Sequence, residues 1–236
     1  GERACGGYRM SMPFYIDPEQ LTKDRADFSR RGVSRGLPVI AASSAEGIVI
    51  IALNSSTSLM KIGEIHDRIA FAGAGKFHEY EALRLAAVRW ADARAYQYSR
   101  RDVSASSLAN ALAHAIGDVF VSAPKPLEIA LLLPEVGNQV GDDRIFSLSF
   151  DGSLSDHGTF AAIGGAPEGL VSRALAAKLE ERGAQDVIDF CVRELSSTHA
   201  HAGTHAEVAL LRRGVELRSF ERHTSLDMGG MERTNP

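Results

Sequence analysis

The residue best suited to nucleophilic chemistry is Ser11, which directly follows Met10. Removal of that methionine would expose a free α-amine beside the serine hydroxyl, and such an amine can act as the base that activates the hydroxyl. Two further points, Gly158-Thr159 and Gly203-Thr204, have the residue types of a cleavage site that would expose an N-terminal threonine. Cutting at either would discard most of the chain, so Ser11 is the stronger candidate.

The segment after Ser11 predicts an arm and a helix where such a nucleophile would need a strand. A catalytic N-terminal residue has to open the first strand, so that the fold holds it rigidly beside its partners. Here Pro13 interrupts the arm, Asp17 is a suitable N-cap and Pro18 is a suitable first helical residue. We therefore expect Ser11 to lie on an arm ahead of a helix, which argues against catalysis by this chain.

The predicted first helix is amphipathic. Leu21 and Phe28 are seven residues apart and share one face, whereas the charged residues between them lie on the other faces. Gly32 is predicted to end the helix, because glycine commonly follows a helical C-terminus.

Three other groups of residues have the types used for ligand binding, and each has a simpler explanation. The histidines lie beside a glycine without cysteine or acidic partners at ligand spacing, so we expect no metal site. The Gly-Ala-Gly-Lys segment lacks the spacing and the final Ser or Thr of a phosphate-binding loop. The arginine pairs have acidic neighbours, so we expect ion pairs rather than a nucleic-acid site. These groups are His199, His201 and His205, residues 73–76, and the pairs Arg30-Arg31 and Arg100-Arg101.

Composition and charge are those of an ordinary globular protein. Of the 236 residues, 44% are hydrophobic and 24% are charged. The net charge of −4 gives no indication of nucleic acid or an anionic membrane as a partner. No apolar run is long enough to span a membrane, and the first ten residues lack the apolar part of a secretory signal. Cys5 and Cys191 are expected to be free thiols in a reducing compartment, which predicts a cytoplasmic protein.

The sequence predicts one folded domain with an extension at each end. Residues 1–9 are expected to be an upstream extension, with Met10 as the natural start. Residues 10–223 are expected to form a single domain, whose arm and first helix occupy residues 10–32. Residues 224–236 lack apolar periodicity and are expected to be a disordered tail.

Apolar patterns predict strands in meanders and helices in pairs. The predicted strands are residues 38–42, 47–53, 69–75, 127–136, 145–150, 158–163, and a final hairpin of 205–212 and 215–222. Helices are predicted over residues 77–99, 104–122, 167–182 and 185–195. This grouping does not suit a doubly wound parallel sheet, in which strands and helices alternate. It predicts an α+β fold, a four-layer αββα sandwich of two antiparallel sheets.

Four motifs in this order resemble the α-type subunit of the core proteasome, most closely its actinobacterial form. They are Arg-Arg-Gly-Val-Ser-Arg-Gly at 30–36, Asn-Ser-Ser-Thr-Ser-Leu-Met-Lys-Ile at 54–62, Tyr-Ser-Arg-Arg-Asp-Val at 98–103 and Phe-Asp-Gly-Ser at 150–153. Each motif is short, but their order and spacing together are specific. The resemblance covers residues 10–222, nearly the whole chain.

The resemblance implies an N-terminal-nucleophile hydrolase-like fold in a subunit without catalytic residues or cofactors. Members of this family form seven-membered α-rings that cap rings of β-type subunits, which carry the proteolysis. The N-terminal arms of the α-ring close the axial pore. Pockets between neighbouring α-subunits receive the C-terminal tails of a ring-shaped ATPase. In actinobacteria the substrates are proteins tagged with a small ubiquitin-like modifier.

The resemblance also implies a pocket for those tails. Lys61 matches the family lysine that binds the C-terminal carboxylate of the activator, and Gly36 matches a glycine whose backbone lines the pocket. Lys76 lies near a third pocket position, where other branches of the family have an apolar residue. An ammonium group suits this role, because it can donate a charge-assisted hydrogen bond to a terminal carboxylate.

The resemblance places the gate in residues 11–17. Tyr15-Ile16-Asp17-Pro18 stands where archaeal and eukaryotic members have a Tyr-Asp-Arg triplet, as in the actinobacterial form. The gate residues are Ser11, Met12, Pro13, Phe14, Tyr15, Ile16 and Asp17.

Two hypotheses of different classes follow. The first is a structural and gating subunit of the α-ring, and the second is a self-processing peptidase of the same superfamily that uses an N-terminal threonine or serine. The predicted helix ahead of the first strand and the absence of a strand that begins with threonine favour the first.

Overall fold

The computed structural model describes residues 17–199 and 204–227, which form five helices and ten strands. The helices are α1 Pro18–Ser34, α2 Phe77–Gln97, α3 Ala105–Ser122, α4 Leu170–Ala176 and α5 Ala184–His199. The strands are β1 Val39–Ser44, β2 Gly47–Asn54, β3 Ile62–His66, β4 Ile69–Gly75, β5 Ile129–Glu135, β6 Arg144–Ser149, β7 Leu154–Asp156, β8 Phe160–Ile163, β9 His205–Arg212 and β10 Phe220–Asp227. Short 3₁₀ turns occur at Arg100–Asp102, Val140–Asp142 and Leu179–Glu181.

The strands form two five-stranded sheets, and all strand pairings among the described residues are antiparallel. The first sheet has the order β10-β9-β2-β1-β8, and the second has the order β3-β4-β5-β6-β7. Helices α4 and α5 pack on the outer face of the first sheet, and α2 and α3 pack on the outer face of the second. The four-layer αββα sandwich predicted from the sequence is therefore confirmed.

The core between the two sheets consists of small and branched side chains. In β1 and β2 one set of alternate residues, such as Val39, Ala41 and Ile50, faces the second sheet. The other set, such as Ile40 and Ile51, faces α4 and α5. Both strands are therefore buried along their whole length, which explains why they read as continuous apolar runs in the sequence.

Helix α1 begins as predicted but ends later. The Asp17 carboxylate accepts a hydrogen bond from the Glu19 amide, and Pro18 is the first helical residue. The helix continues through Gly32 to Ser34, so the prediction that Gly32 ends it was wrong. A Cβ at Gly32 would lie 2.2 Å from Glu128 Oε2, so this glycine permits a close approach of α1 to the residue before β5.

Further elements differ from the sequence prediction. Strands β3 and β7 were not predicted; Gly63 and Glu64 interrupt the apolar pattern of β3, and β7 has only three residues. The helix predicted over 167–182 is divided into α4 and a 3₁₀ turn, since Lys178 adopts a left-handed conformation with φ of 49°. The final strand begins at Phe220 rather than at residue 215.

Strand β10 also extends beyond the predicted end of the domain. Its residues 226 and 227 pair with Ala206 and His205 of β9, so residues 224–227 of the predicted tail belong to the sheet. Residues 1–16, 200–203 and 228–236 lie outside the described residues, and with them His201 and Gly203.

Candidate functional site

Three glycines bring the connection between α1 and β1 against the end of β4. A Cβ on Gly36 would lie 2.9 Å from the backbone nitrogen of Gly75, and one on Gly164 would lie 3.1 Å from the carbonyl oxygen of Leu37. Gly75 has φ of +102°, where other residues are strained. The Gly36 carbonyl also accepts a hydrogen bond of 2.9 Å from the Gly165 amide. The backbone is therefore closely packed and exposed only in part at this point.

The side chain of Lys61 reaches this glycine-rich surface. Its Nζ donates a hydrogen bond of 3.0 Å to the carbonyl of Leu37, the residue after Gly36. Partial burial of the ammonium lowers the pKa of Lys61 to about 8, and the nearby Glu207 carboxylate opposes that shift. The structure thus brings Lys61 and Gly36 together, although 24 residues separate Lys61 from Leu37.

A buried carboxylate holds the backbone at Lys61. The two oxygens of Glu207 accept hydrogen bonds of 3.0 and 3.1 Å from the Lys61 amide, and Oε2 accepts one of 3.2 Å from the Ile62 amide. Sequence reasoning missed Glu207 as part of this site. A signal for it was present, because Glu207 is the single acid in the apolar strand β9.

Lys76 lies next to the same surface, but its ammonium is directed elsewhere. Lys76 is the N-cap of α2 and directly follows Gly75. Its Nζ lies 2.6 Å from Glu128 Oε1, and Lys125 Nζ lies 3.1 Å from the same oxygen. Lys125 also pairs at 2.8 Å with Glu79. Lys76 is therefore part of a four-membered charge cluster beside Gly36 rather than a free cation.

This arrangement can bind a carboxylate. Lys61 offers an ammonium that donates one hydrogen bond among the described residues, to the carbonyl of Leu37, the residue next to Gly36. A charge-assisted hydrogen bond of this kind is about twice as strong as a neutral one.

Most of the predicted gate lies outside the described residues. Of residues 11–17, the structure describes only Asp17, which is the N-cap of α1. Ser11 also lies outside the described part of the chain. The structure nevertheless places α1, with its 17 residues, between this segment and β1.

The other segments that the sequence analysis considered for ligand binding have structural roles in the described residues. Residues 73–75 belong to β4, so the Gly-Ala-Gly-Lys segment is a strand and helix N-cap. Arg30 pairs at 2.7 Å with Asp27, and Arg100 pairs with Asp67. Over residues 17–199 and 204–227, no cluster of His, Cys, Asp and Glu side chains has the arrangement of a metal site. None of the helices in that part of the chain combines the length and apolar character that crossing a bilayer requires.

Comparison with known proteins identifies the family. A model of the family described as Proteasome subunit matches residues 33–211. The chain belongs to the proteasome subunit family. A relative named Proteasome subunit alpha, from Kineococcus radiotolerans, is 42% identical over 94% of this chain and 98% of its own length.

Two further relatives are also named Proteasome subunit alpha. That from Sanguibacter keddieii is 44% identical over 90% of this chain and 86% of its own length. That from Xylanimonas cellulosilytica is 51% identical over 70% of this chain and 67% of its own length. These similarities support the α-type interpretation over the catalytic alternative, and they place the chain with the components of a proteolytic core complex.

Proposed function

We propose that this chain is a non-catalytic α-ring subunit of a bacterial proteasome core, which controls substrate entry and docks a ring-shaped ATPase. Seven copies would form the ring, and β-type subunits would supply the proteolysis. The complex would degrade proteins tagged with a ubiquitin-like modifier in the cytoplasm. The observation that carries this proposal is the position of α1 ahead of β1, together with the relatives named as α subunits.

The docking part of the proposal rests on Lys61. Its ammonium lies at 3.0 Å from the Leu37 carbonyl, beside the backbone of Gly36, where an incoming C-terminal carboxylate could accept hydrogen bonds. Lys76 would act through the charge cluster that fixes the start of α2, because Glu128 already pairs with its ammonium. The gate of residues 11–17 would lead directly into α1, whose attachment to the sandwich would set where the arm begins.

We expect the purified chain alone to show no hydrolysis of fluorogenic peptides. Activity should appear when the β-type partner is added, because α1 occupies the chain position at which an N-terminal nucleophile would have to open β1. Peptide hydrolysis is measured for each subunit alone and for the assembled core. Turnover by the chain alone that is lost in the Ser11→Ala variant would instead favour the self-processing peptidase.

Replacing Lys61 with glutamine should weaken docking of the ATPase tail by about tenfold or more, because a charge-assisted hydrogen bond to a carboxylate is lost. Docking to the wild type should also weaken as the pH rises through about 8, where Lys61 loses its proton. Binding of a labelled tail peptide to the assembled core measures both effects.

Lys178→Gln is the matched control, because Lys178 forms only an exposed ion pair with Glu181 at 3.1 Å. Ring assembly should be unchanged in both variants. Equal affinity of the Lys61→Gln and Lys178→Gln cores for the tail would remove Lys61 from the proposed pocket.

A further inference from the structure

Glu207 is a buried acid that crosses from one sheet to the other. Its side chain projects from β9 of the first sheet and is 3% exposed. It accepts hydrogen bonds from the amides of Lys61 and Ile62, which lie at the start of β3 in the second sheet. Asn54 Nδ2 donates a further bond of 2.5 Å, and Arg222 Nη1 lies 3.6 Å from Oε2. A buried carboxylate is costly unless it is paired in this way.

These bonds fix both ends of the segment that carries Lys61. Asn54 is the last residue of β2, and Lys61 directly precedes β3, so Glu207 closes the intervening loop of residues 55–61. Asn54 also donates to the Leu59 carbonyl and accepts a bond of 3.0 Å from the Ser56 amide. The position of the Lys61 backbone therefore depends on a residue that is 146 positions away in the sequence.

Glu207 also acts on the charge of Lys61. Burial lowers the pKa of the Lys61 ammonium, and the negative charge of Glu207 raises it again, which leaves it at about 8. Because the two groups share a partly buried site, their interaction is screened less than that of surface charges. Without Glu207 the ammonium would lose its proton at a lower pH.

We propose that Glu207 is the positioning residue of the Lys61 site: its carboxylate fixes the 55–61 loop and holds a negative charge at the backbone of Lys61, whose ammonium would bind a peptide carboxylate. This inference rests on the proposed docking function. The inference assigns a role in docking to Glu207, which lies on a different sheet from the β3 strand that follows Lys61. It also predicts that docking depends on pH through the Glu207 carboxylate, although this group does not have to contact the tail.

Other charges around Lys61 have to be considered in any pH experiment. Arg222 faces the same carboxylate and also donates a bond of 2.7 Å to the Ile62 carbonyl. Tyr80 of α2 also faces Glu207, because the negative charge of Glu207 contributes, after burial, to raising the pKa of Tyr80. Other charged or titratable side chains near the loop include His205, His223, Arg35, and Lys76 with its partner Glu128.

The first test measures the protonation of Lys61 without any ligand. In the assembled core, the labelling rate of Lys61 by an amine-reactive reagent is followed by mass spectrometry between pH about 6 and about 10. Glu207→Gln should lower the pKa of Lys61 by about one unit, because a neighbouring negative charge is removed. Arg222→Gln should raise it, because a neighbouring positive charge is removed and the carboxylate loses a partner.

Two control variants separate charge from structure. Glu221→Gln removes a carboxylate on β10 that pairs at 2.7 Å with Arg212 of β9, and it should leave the Lys61 titration unchanged. Glu207→Asp keeps the negative charge with a shorter side chain and should restore most of the wild-type titration. Arg222 is partly exposed, so Arg222→Gln remains informative if Glu207→Gln fails to assemble.

The second test measures docking with a synthetic peptide that has the C-terminal sequence of the ATPase, as the free acid and as the C-terminal amide. For Glu207→Gln, binding of the free acid at pH about 7.5 should fall about threefold and recover near pH about 6, where Lys61 regains its proton. The amide should bind equally weakly to wild type and variant.

The outcomes distinguish this inference from the proposed function. An unchanged Lys61 titration in Glu207→Gln and in Arg222→Gln, or a loss of docking that is equal at every pH, would overturn the action of Glu207 on the charge of Lys61. Unchanged docking in Glu207→Gln at every pH would overturn its positioning role as well. Failure of the free-acid peptide to bind the wild-type core would instead overturn the docking function, and the labelling result would stand independently of it.

Discussion

Replacing Asp143 with asparagine should lower the free energy of unfolding by about 3 kcal/mol or more, since it leaves the charge of Arg213 without its partner inside the protein. The two side chains form a bidentate ion pair, with distances of 2.8 and 2.9 Å between guanidinium nitrogens and carboxylate oxygens. The side chain of Asp143 is fully buried, and the side chain of Arg213 is 12% exposed. Removing one partner of such a pair costs more than the pair itself contributes.

The position of this pair makes the loss larger. Arg213 follows β9 of the first sheet, and Asp143 precedes β6 of the second. The same guanidinium donates to the carbonyls of Ser44 and Gly137, and Asp143 accepts a further bond of 2.9 Å from the Gly137 amide. The pair therefore holds the two sheets together at one end of the sandwich. Its loss also weakens the hydrogen bonds that the two side chains make to the backbone of Ser44 and Gly137.

Urea denaturation at fixed protein concentration measures the effect, because assembly would otherwise change the apparent stability. Asp27→Asn is the matched control, since Asp27 pairs with Arg30 on the exposed side of α1 and should cost less than about 1 kcal/mol. If the two variants lose similar stability, the buried pair does not connect the sheets in the way described.

The layered architecture could be predicted because its signals are local. The runs of apolar residues in β1 and β2 reflect the local strand geometry. An Asp-Gly pair such as Asp151-Gly152 is typical of a tight turn, and Gly152 has a positive φ of 84°. Strand β3 was missed because it lies at the edge of its sheet, where a strand does not need a continuous apolar pattern.

The errors come from contacts that are distant in the sequence. Gly32 was interpreted as a helix end, but its role is set by Glu128, which lies 96 residues further on. The division of the helix over 167–182 depends on Lys178, an ordinary helix former that gives no local indication of a left-handed conformation. Packing decides both cases, and packing is not visible in a local pattern.

The candidate site was predicted only where a family resemblance supplied it. Lys61 and Gly36 were proposed in this way, whereas from its residue type alone Lys61 is an ordinary surface lysine. Glu207 and Arg25 were not found, because each acts through backbone groups of a remote segment. Such bonds depend on the completed fold.

Replacing Arg25 with methionine should release α1 from the sandwich while leaving the rest of the fold intact. The Arg25 guanidinium donates hydrogen bonds of 2.6 and 2.7 Å to the carbonyls of Phe120 and Ala123 at the end of α3, and it lies over the Phe120 ring at 5.6 Å. These carbonyls have no partner within α3 and carry partial negative charge, so a cation is favourable there. Ser29 is the only fully buried residue of α1. Few apolar side chains of α1 are therefore buried against the sandwich, and they could not hold the helix in place once the Arg25 hydrogen bonds are lost.

Hydrogen exchange of the α1 amides should accelerate about thirtyfold, which corresponds to a loss of about 2 kcal/mol in local stability. Arg30→Met is the matched control on the same helix, because Arg30 only pairs with the exposed Asp27. If residues 11–17 form the gate, Arg25→Met should also raise the rate of peptide entry into the assembled core, towards the rate of a variant that lacks residues 1–16. Exchange that is equally fast in the two helix variants would show that Arg25 does not anchor α1, whereas faster exchange with unchanged peptide entry would separate the helix from the gate.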